Sequence, residues 1–265
     1  MTAKPDPPSN ELPAPAVEGI ASYWTESRRP LTSLVFISPL LLAYELGVLI
    51  LGPQAIRNGA DAWLRQLLEA IGFGQYFLLP VLTVCILLSW HYTTRQPWRV
   101  TPGVLAGMAI ECVCLAAVLR LILQLQGGLL QAITYPVEST VPTLALAMDL
   151  PDRFRGLVGF LGAGVYEELL FRLILLSLVV AIVRRLGGTP RKSLVAVVLA
   201  TSFVFAMAHY VGPNGEPLHL QASSFWFSFL FRFLAGLFFG TLFVYRGFGI
   251  AAGAHAGYDI LVGLF

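Results

Sequence analysis

The chain has 265 residues, of which 57% are hydrophobic and only 12% are charged, and its mean hydropathy is +0.75. Soluble domains average about 25% charged and about 45–50% apolar residues. The composition therefore excludes an ordinary soluble domain and predicts an all-α integral membrane protein with several transmembrane helices. The net charge of +2 is too small to indicate a nucleic-acid partner.

The first thirty residues are rich in proline and charged side chains and contain no apolar segment long enough to cross a membrane. Such a composition is typical of disordered chain. We therefore expect residues 1–30 to form a disordered cytoplasmic tail and residues 31–265 to form a single membrane domain. The first apolar helix would then serve as an uncleaved targeting signal.

The rest of the chain contains several separate apolar segments. A helix needs about 20 residues to cross the hydrocarbon core of a membrane. The sequence thus predicts about seven transmembrane helices. The ends of the predicted spans on one side of the membrane, the side of Arg28 and Arg29, carry more basic residues than the ends on the other side, where Arg57 and Arg65 lie. This bias predicts a cytoplasmic amino terminus. The predicted spans are residues 31–52, 74–92, 102–125, 156–183, 193–211, 223–245 and 248–264.

Two segments between the predicted spans have sequence patterns that predict further structure. Residues 56–71 place apolar side chains at helical spacing, with Arg57, Asp61 and Arg65 elsewhere, which predicts an amphipathic helix in the membrane interface. Residues 126–152 contain glycines and prolines that forbid one continuous span. A short re-entrant helix within 126–152 would make an eighth membrane element.

Two adjacent glutamates, Glu167 and Glu168, interrupt the fourth predicted span. A charged side chain at the centre of a membrane helix costs at least about 2.5–3.5 kcal/mol, so a carboxylate pair there indicates a functional site. Glu168 precedes Arg172 by four residues, which is the favourable order for an ion pair within a helix. Glu167 points about 100° away from Glu168 and stays available for another partner.

Two histidines lie in later apolar segments. Phe205 precedes His209 by one helical turn near the end of the fifth span, and His255 precedes Asp259 by one turn in the seventh. Singly, each could be a hydrogen-bonded interior residue, and the glutamate–arginine pair could be purely structural. A free carboxylate, two histidines and a further acid on three helices together favour a catalytic site.

The order and spacing of these residues resemble those of a known family. Glu167-Glu168-Leu-Leu-Phe-Arg172 fits E-E-x-x-x-R, Phe205-Ala-Met-Ala-His209 fits F-x-x-x-H, and His255-Ala-Gly-Tyr-Asp259 fits H-x-x-x-[N/D]. This ordered trio is similar to the motifs of the CPBP family of intramembrane endopeptidases, also called the Abi or CAAX prenyl protease 2-like family. The resemblance covers about residues 150–264 and leaves the preceding part of the chain unmatched.

The resemblance implies an intramembrane endopeptidase that hydrolyses a peptide bond of a membrane-associated peptide or protein, which is lipidated for some members. It implies that Glu167, as general base, and His209 hold and activate a water. His255 and Asp259 would stabilise the oxyanion or orient the scissile carbonyl. The supporting residues implied in the same way are Glu168, Arg172 and Phe205.

Asp259 stands where many members of the family have Asn. An ionised carboxylate cannot donate a hydrogen bond, so we expect Asp259 to orient His255 through the second ring nitrogen. By the predicted spans, Glu167 lies deeper in the membrane than His209. The two can meet only if the fourth helix begins as early as Pro151 or the fifth continues past residue 211.

Glu167, His209 and His255 could also bind zinc with one position open for water. The chain lacks a His-Glu-x-x-His motif and a Cys-rich ligand set. A metal-free mechanism without a cofactor is therefore favoured, with zinc as the alternative.

Two other functions stay open at this point. Glu45, Glu111 and Arg120 could join Glu167 and His209 in the proton relay of a transporter or channel, although pairing within the bundle is the favoured role of the first three. The chain could also be a catalytically silent scaffold. The expected partners are the bilayer and a peptide or protein substrate, and the expected location is a bacterial inner (plasma) membrane.

Overall fold

The structure is a computed structural model that describes residues 14–55, 57–74, 77–133, 150–187, 190–212 and 215–264. Regular structure in these residues is helical, with no strand, which confirms the all-α prediction. A 3-10 turn at Gly52–Gln54 and a π-helical segment at Leu169–Leu176 interrupt the α-helices. The helices are α1 (Ala14–Ser27), α2 (Pro30–Leu51), α3 (Gly59–Ala70), α4 (Leu78–Thr93), α5 (Pro102–Ile133), α6 (Leu150–Glu168), α7 (Ser177–Arg185), α8 (Pro190–Ala208), α9 (Ser223–Arg246) and α10 (Phe248–Leu264).

Several helices have the length and composition of membrane spans. α2, α9 and the Pro102–Leu129 part of α5 are long and apolar enough to cross a bilayer, and α4, Ser193–Ala208 and α10 are shorter apolar helices. α6, the π-helical segment and α7 form one uninterrupted helical run. Helices satisfy their own backbone hydrogen bonds, which lipid cannot do. The chain is thus a polytopic integral membrane protein.

The amino-terminal segment differs from its prediction. Residues 1–30 were expected to be disordered, whereas Ala14–Ser27 form α1, and residues 1–13 lie outside the described part of the chain. Tyr23 packs over Gly107 of α5 and donates a 2.5 Å hydrogen bond to Glu111. These tertiary contacts stabilise a helix that composition does not reveal.

The segment after the third predicted span also differs. α5 does not end near residue 125 but continues through Gly127 and Gly128 to Ile133, and α6 begins at Leu150. One contact in this extension is the hydrogen bond from Gln126 Nε2 to the Phe227 carbonyl of α9, 2.7 Å long. The predicted re-entrant helix within 126–152 falls mainly on residues 134–149, which lie outside the described residues.

α10 lies at the centre of the bundle, in contact with α6, α5, α2 and α9. Residues 248–256 of α10 are all buried, and most of them are glycine or alanine. Small residues let neighbouring helices approach closely. A Cβ atom on Gly164 of α6 would lie 2.5 Å from the Ala256 Cβ, so α6 and α10 touch backbone to backbone. This contact places the end of α6 against the middle of α10.

Candidate active site

Glu167 and Glu168 end α6, at the point where the backbone becomes π-helical over Leu169–Leu176. π-helical turns within α-helices occur frequently at functional sites. The Gly164–Ala256 contact lies one turn before the two glutamates. Both carboxylates are therefore held in the interior of the bundle, beside α10.

Glu168 has two partners. Its Oε1 lies 3.1 Å from Arg172 Nη1, so the predicted ion pair is confirmed. The same oxygen lies 2.7 Å from His255 Nδ1 of α10. Arg172 in turn donates to the Gly236 carbonyl of α9 (3.4 Å) and lies over the Phe205 ring of α8 at 4.2 Å. The buried pair thus joins four elements rather than stabilising one helix alone.

His255 is oriented in a way that the sequence did not predict. Glu168 binds Nδ1, whereas Glu167 Oε2 lies 3.8 Å and Asp259 Oδ2 lies 3.6 Å from Nε2. Asp259 was expected at the second ring nitrogen, but it shares the Nε2 side with Glu167. The reason is geometric, because α6 delivers Glu168 to the opposite edge of the ring. Phe239 of α9, which sequence reasoning missed among many phenylalanines, stacks on this ring at 4.3 Å.

His209 follows the last residue of α8 and faces Glu167. Its Nδ1 lies 2.9 Å from the Phe205 carbonyl oxygen, which can only accept, so Nδ1 carries the hydrogen. Its Nε2 lies 4.0 Å from Glu167 Oε2. The two residues meet because α6 begins at Leu150, which is the first of the two solutions that the sequence allowed.

A cavity of about 380 Å³ adjoins this group. His209, His255 and Asp259 line it, together with Arg232 of α9. Aromatic and aliphatic side chains make up most of the remaining wall. Ligand sites commonly combine an apolar wall with a few convergent polar groups, and this cavity has that character.

The metal alternative depends on whether Glu167, His209 and His255 could share one ion. Donor atoms about 2.0–2.1 Å from a tetrahedral zinc lie about 3.4 Å apart. The Glu167 oxygen lies 4.0 Å and 3.8 Å from the two ring nitrogens. Within the described ranges, no group of three or more His, Cys, Asp or Glu side chains is placed to hold a metal ion. Both separations exceed the zinc spacing by about 0.4–0.6 Å.

The acids and the arginine of the earlier spans have partners of their own. Glu45 accepts hydrogen bonds from Tyr166 (2.5 Å) and Arg65 (3.3 Å). Glu111 accepts two 2.6 Å hydrogen bonds from the guanidinium of Arg246. Arg120 Nη1 donates to the Leu261 carbonyl at 2.7 Å. Pairing within the bundle, the role favoured for Glu45, Glu111 and Arg120, is confirmed.

The carboxyl-terminal part of the chain matches a known family. Residues 150–261 match the model of the type II CAAX prenyl endopeptidases, Rce1-like. The matched range contains all three motifs and every residue of the cluster around Glu167. No curated protein and no solved structure shows significant similarity to the chain. Residues 150–261, which are less than half of the chain, are thus similar to the Rce1-like type II CAAX prenyl endopeptidases.

Proposed function

We propose that this protein is an intramembrane endopeptidase that hydrolyses a peptide bond of a membrane-associated peptide or protein by a metal-free glutamate mechanism. One observation carries the proposal. Glu167 Oε2 lies 4.0 Å from His209 Nε2 and 3.8 Å from His255 Nε2. These separations are too long for direct hydrogen bonds, and the separation of Glu167 from His209 leaves room for one shared water with bonds of about 2.8 Å. The family of residues 150–261 supports a CAAX-type protease.

The water is activated by two acceptors. Because the Nδ1 hydrogen of neutral His209 is bonded to the Phe205 carbonyl, its Nε2 presents a lone pair towards Glu167. The water donates one hydrogen to each residue, and its oxygen attacks the scissile carbonyl carbon. Glu167 takes the proton as the new C–O bond forms. It then passes this proton to the amide nitrogen, the C–N bond breaks, and a carboxyl group and an amine are released.

His255 supplies the donor for the tetrahedral intermediate. Glu167, Glu168 and Asp259 surround its ring, and in its protonated form it donates from both nitrogens. Nδ1 donates to Glu168, which leaves the Nε2 hydrogen to bind the oxyanion at the cavity. A preorganised donor of this kind stabilises a transition state by about 3–4 kcal/mol. Asp259 supports the charge of the ring from the Nε2 side, without donating a hydrogen bond itself.

The substrate class follows from the cavity and the family. The wall is mostly apolar, and the family acts on prenylated CAAX proteins. We therefore infer a lipidated peptide or protein that reaches the cavity from the membrane. From the charge bias of the span ends we also infer a cytoplasmic amino terminus. The short linkers between the spans favour a bacterial inner membrane.

The test is proteolysis by purified protein in proteoliposomes. We expect cleavage of a farnesylated peptide that ends in cysteine, two aliphatic residues and one further residue. Glu167→Gln and His209→Ala should abolish cleavage, whereas Glu45→Gln is the matched control, because Glu45 binds Tyr166, the residue before Glu167. A wild-type protein that moves protons or ions but cuts no peptide would overturn the proposal in favour of a transporter.

A chelator separates the two protease mechanisms. The metal-free mechanism predicts the same cleavage rate before and after extensive treatment with a zinc chelator. Loss of activity in the chelator, with recovery on addition of zinc, would replace the bridging water with a zinc site formed by Glu167, His209 and His255.

A further inference from the structure

An ion pair outside the three motifs lies at the wall of the catalytic cavity. Arg232 of α9 lines this cavity together with His209 and His255. Arg232 Nη1 donates to Glu216 Oε2 at 2.9 Å, and Nη2 donates to Glu216 Oε1. The guanidinium therefore holds a carboxylate with two parallel hydrogen bonds. This is the geometry in which arginine binds carboxylates with the greatest specificity.

The backbone places Glu216 beside the catalytic histidine. The Glu216 amide donates a 2.9 Å hydrogen bond to the His209 carbonyl. The Arg232 guanidinium lies 5.3 Å from the centre of the Tyr210 ring, next to His209 in the chain. The place where Arg232 binds a carboxylate is therefore adjacent to the group that would activate water.

The two members of the pair differ in their surroundings. The Glu216 side chain is 50% exposed, whereas that of Arg232 is 19% exposed. The hydrogen bond from Arg232 holds the pKa of Glu216 below its usual value, so the acid is ionised at neutral pH. The arginine is the less exposed member and part of the cavity wall, and the glutamate is the partner that another carboxylate can displace.

Of the charged groups in the cavity wall, Arg232 is the one suited to bind a substrate carboxylate. Among the described residues that line the cavity, it is the one arginine or lysine. Asp259 is the acid in the same wall, close to His255. An anionic end of a substrate would thus meet the one guanidinium of the described wall, on the side of the cavity formed by α9, away from the carboxylates that surround His255.

We propose, resting on the protease function above, that Arg232 binds the free carboxyl terminus of the substrate and that Glu216 occupies this subsite when no substrate is bound. The exchange replaces one bidentate carboxylate with another, so no charge is left unpaired in the wall. It directs the enzyme to peptides whose scissile bond lies close to a free carboxyl terminus. Arg232 is then a specificity-determining residue, outside the motifs that activate water.

The experiment compares two farnesylated peptides of one sequence, which end in a free carboxylate or in a carboxamide. Binding is measured by fluorescence anisotropy with the Glu167→Gln protein, in which we expect cleavage to be strongly slowed, and cleavage is measured with Glu167 intact. Since a charge-assisted hydrogen bond contributes about 1.5–3 kcal/mol, we expect the acid to bind about 10- to 100-fold more tightly than the amide.

Variants in the Glu167→Gln background assign that preference. Arg232→Gln should bring the ratio of acid affinity to amide affinity to about one. Arg232→Lys should lower this ratio partly, because lysine keeps the positive charge but cannot form the two parallel hydrogen bonds. Glu216→Gln should strengthen acid binding, because the internal competitor loses its charge. The matched control is Arg155→Gln, because Arg155 pairs with Asp152 at 2.8 Å on α6 and does not line the cavity. Its ratio should equal that of the parent.

Two results would overturn the subsite: equal binding of acid and amide by the parent protein, or an unchanged ratio in Arg232→Gln. Weaker acid binding by Glu216→Gln would overturn the displacement. Failure of the protease function is distinguishable. Selective acid binding without any cleavage rejects the protease and keeps the subsite, whereas cleavage of both peptides with equal KM keeps the protease and rejects the subsite.

Discussion

Two buried polar clusters include adjacent residues of α6, and they differ in how completely their carboxylate oxygens are hydrogen-bonded. The Tyr166 cluster contacts α2 and α3, whereas the Glu167 cluster contacts α8 and α10. The Tyr166 cluster consists of Tyr44, Glu45, Arg57, Asp61, Arg65 and Tyr166. The Glu167 cluster consists of Glu167, Glu168, Arg172, His209, His255 and Asp259.

In the Tyr166 cluster every carboxylate has its donors. Asp61 accepts from Tyr44 (2.9 Å), Arg57 (2.9 Å) and Arg65 (2.7 Å). Glu45 accepts from Tyr166 and Arg65. Two arginines thus balance two acids, and tyrosine hydroxyls supply the remaining donors. Buried charges that are paired and hydrogen-bonded in this way are compatible with a stable fold.

In the Glu167 cluster three carboxylates share one arginine and two histidines. Glu167 Oε2 and Glu168 Oε2 are buried and have no hydrogen-bond partner among the described residues. An unsatisfied buried acceptor costs about 1–3 kcal/mol. A structural cluster thus saturates its acceptors, whereas the proposed catalytic cluster keeps acceptors at the distance of a reacting water. The comparison can be tested on both sides of α6.

The largest expected effect is the loss of catalysis in Glu167→Gln. A carboxamide has nearly the same shape but cannot take a proton from water, so we expect the cleavage rate to fall about 10²- to 10⁴-fold. The thermal unfolding midpoint in detergent should change little, because no donor binds Glu167 Oε2 among the described residues. A variant that cleaves at the wild-type rate would remove Glu167 from the chemistry and with it the contrast between the clusters.

Asp61→Asn should show the opposite pattern. The amide would remove the anion that Arg57 and Arg65 share, although Arg65 keeps Glu45, and its NH2 group would face a donor. Because the two arginines are 30% and 15% exposed, we expect a loss of about 2–3 kcal/mol of unfolding free energy, between the values for surface and buried pairs. Chemical denaturation in detergent measures this loss. The kcat of the folded fraction should stay near wild type, and a selective fall of kcat would refute a purely structural role.

The parts of this arrangement that depend on one helix were predictable from sequence. Hydropathy and length predicted α9 and α10 within one residue, because lipid imposes an apolar run of about 20 residues. The period of 3.6 residues predicted the contacts between Glu168 and Arg172 and between His255 and Asp259. Both contacts join positions i and i+4 of one element.

The parts that depend on two helices were not predictable. Which carboxylate binds Nδ1 of His255 is decided by how α6 crosses α10, and no spacing within either helix carries that information. The π-helical turn after Glu168 has no sequence signature here. Asp61 was expected on the polar face of an interfacial helix, yet it is fully buried, because its donors come from α2 as well as from α3.

The contact between α6 and α10 gives a smaller, geometric test of the Glu167 cluster. In Gly164→Ala the new Cβ would lie 2.5 Å from the Ala256 Cβ and 2.6 Å from its backbone nitrogen, so the helices must move apart. Ordinary contact with these atoms requires a shift of about 1 Å, and because a misplacement of that size can cost about 100-fold in rate, we expect kcat to fall about 10- to 100-fold. Gly156→Ala is the control, since its Cβ meets only Phe160 at 3.5 Å. Equal kcat values in the two variants would show that the spacing of α6 and α10 does not matter.

The smallest expected effect concerns the Phe239 ring, which fixes the orientation of the His255 imidazole by stacking on it. Phe239 stacks on His255 with an interplanar angle of 15°, and aromatic pairs contribute about 0.5–1.5 kcal/mol beyond the area they bury. In Phe239→Leu the imidazole keeps Glu168 but loses this support, so we expect kcat to fall about 2- to 10-fold. Phe229→Leu on the same helix is the control, because Phe229 packs on Phe203 and Phe225 away from the histidine. If both variants lower kcat equally, the stack does not orient His255. The carboxylate partners of His255 alone then hold the oxyanion donor in place.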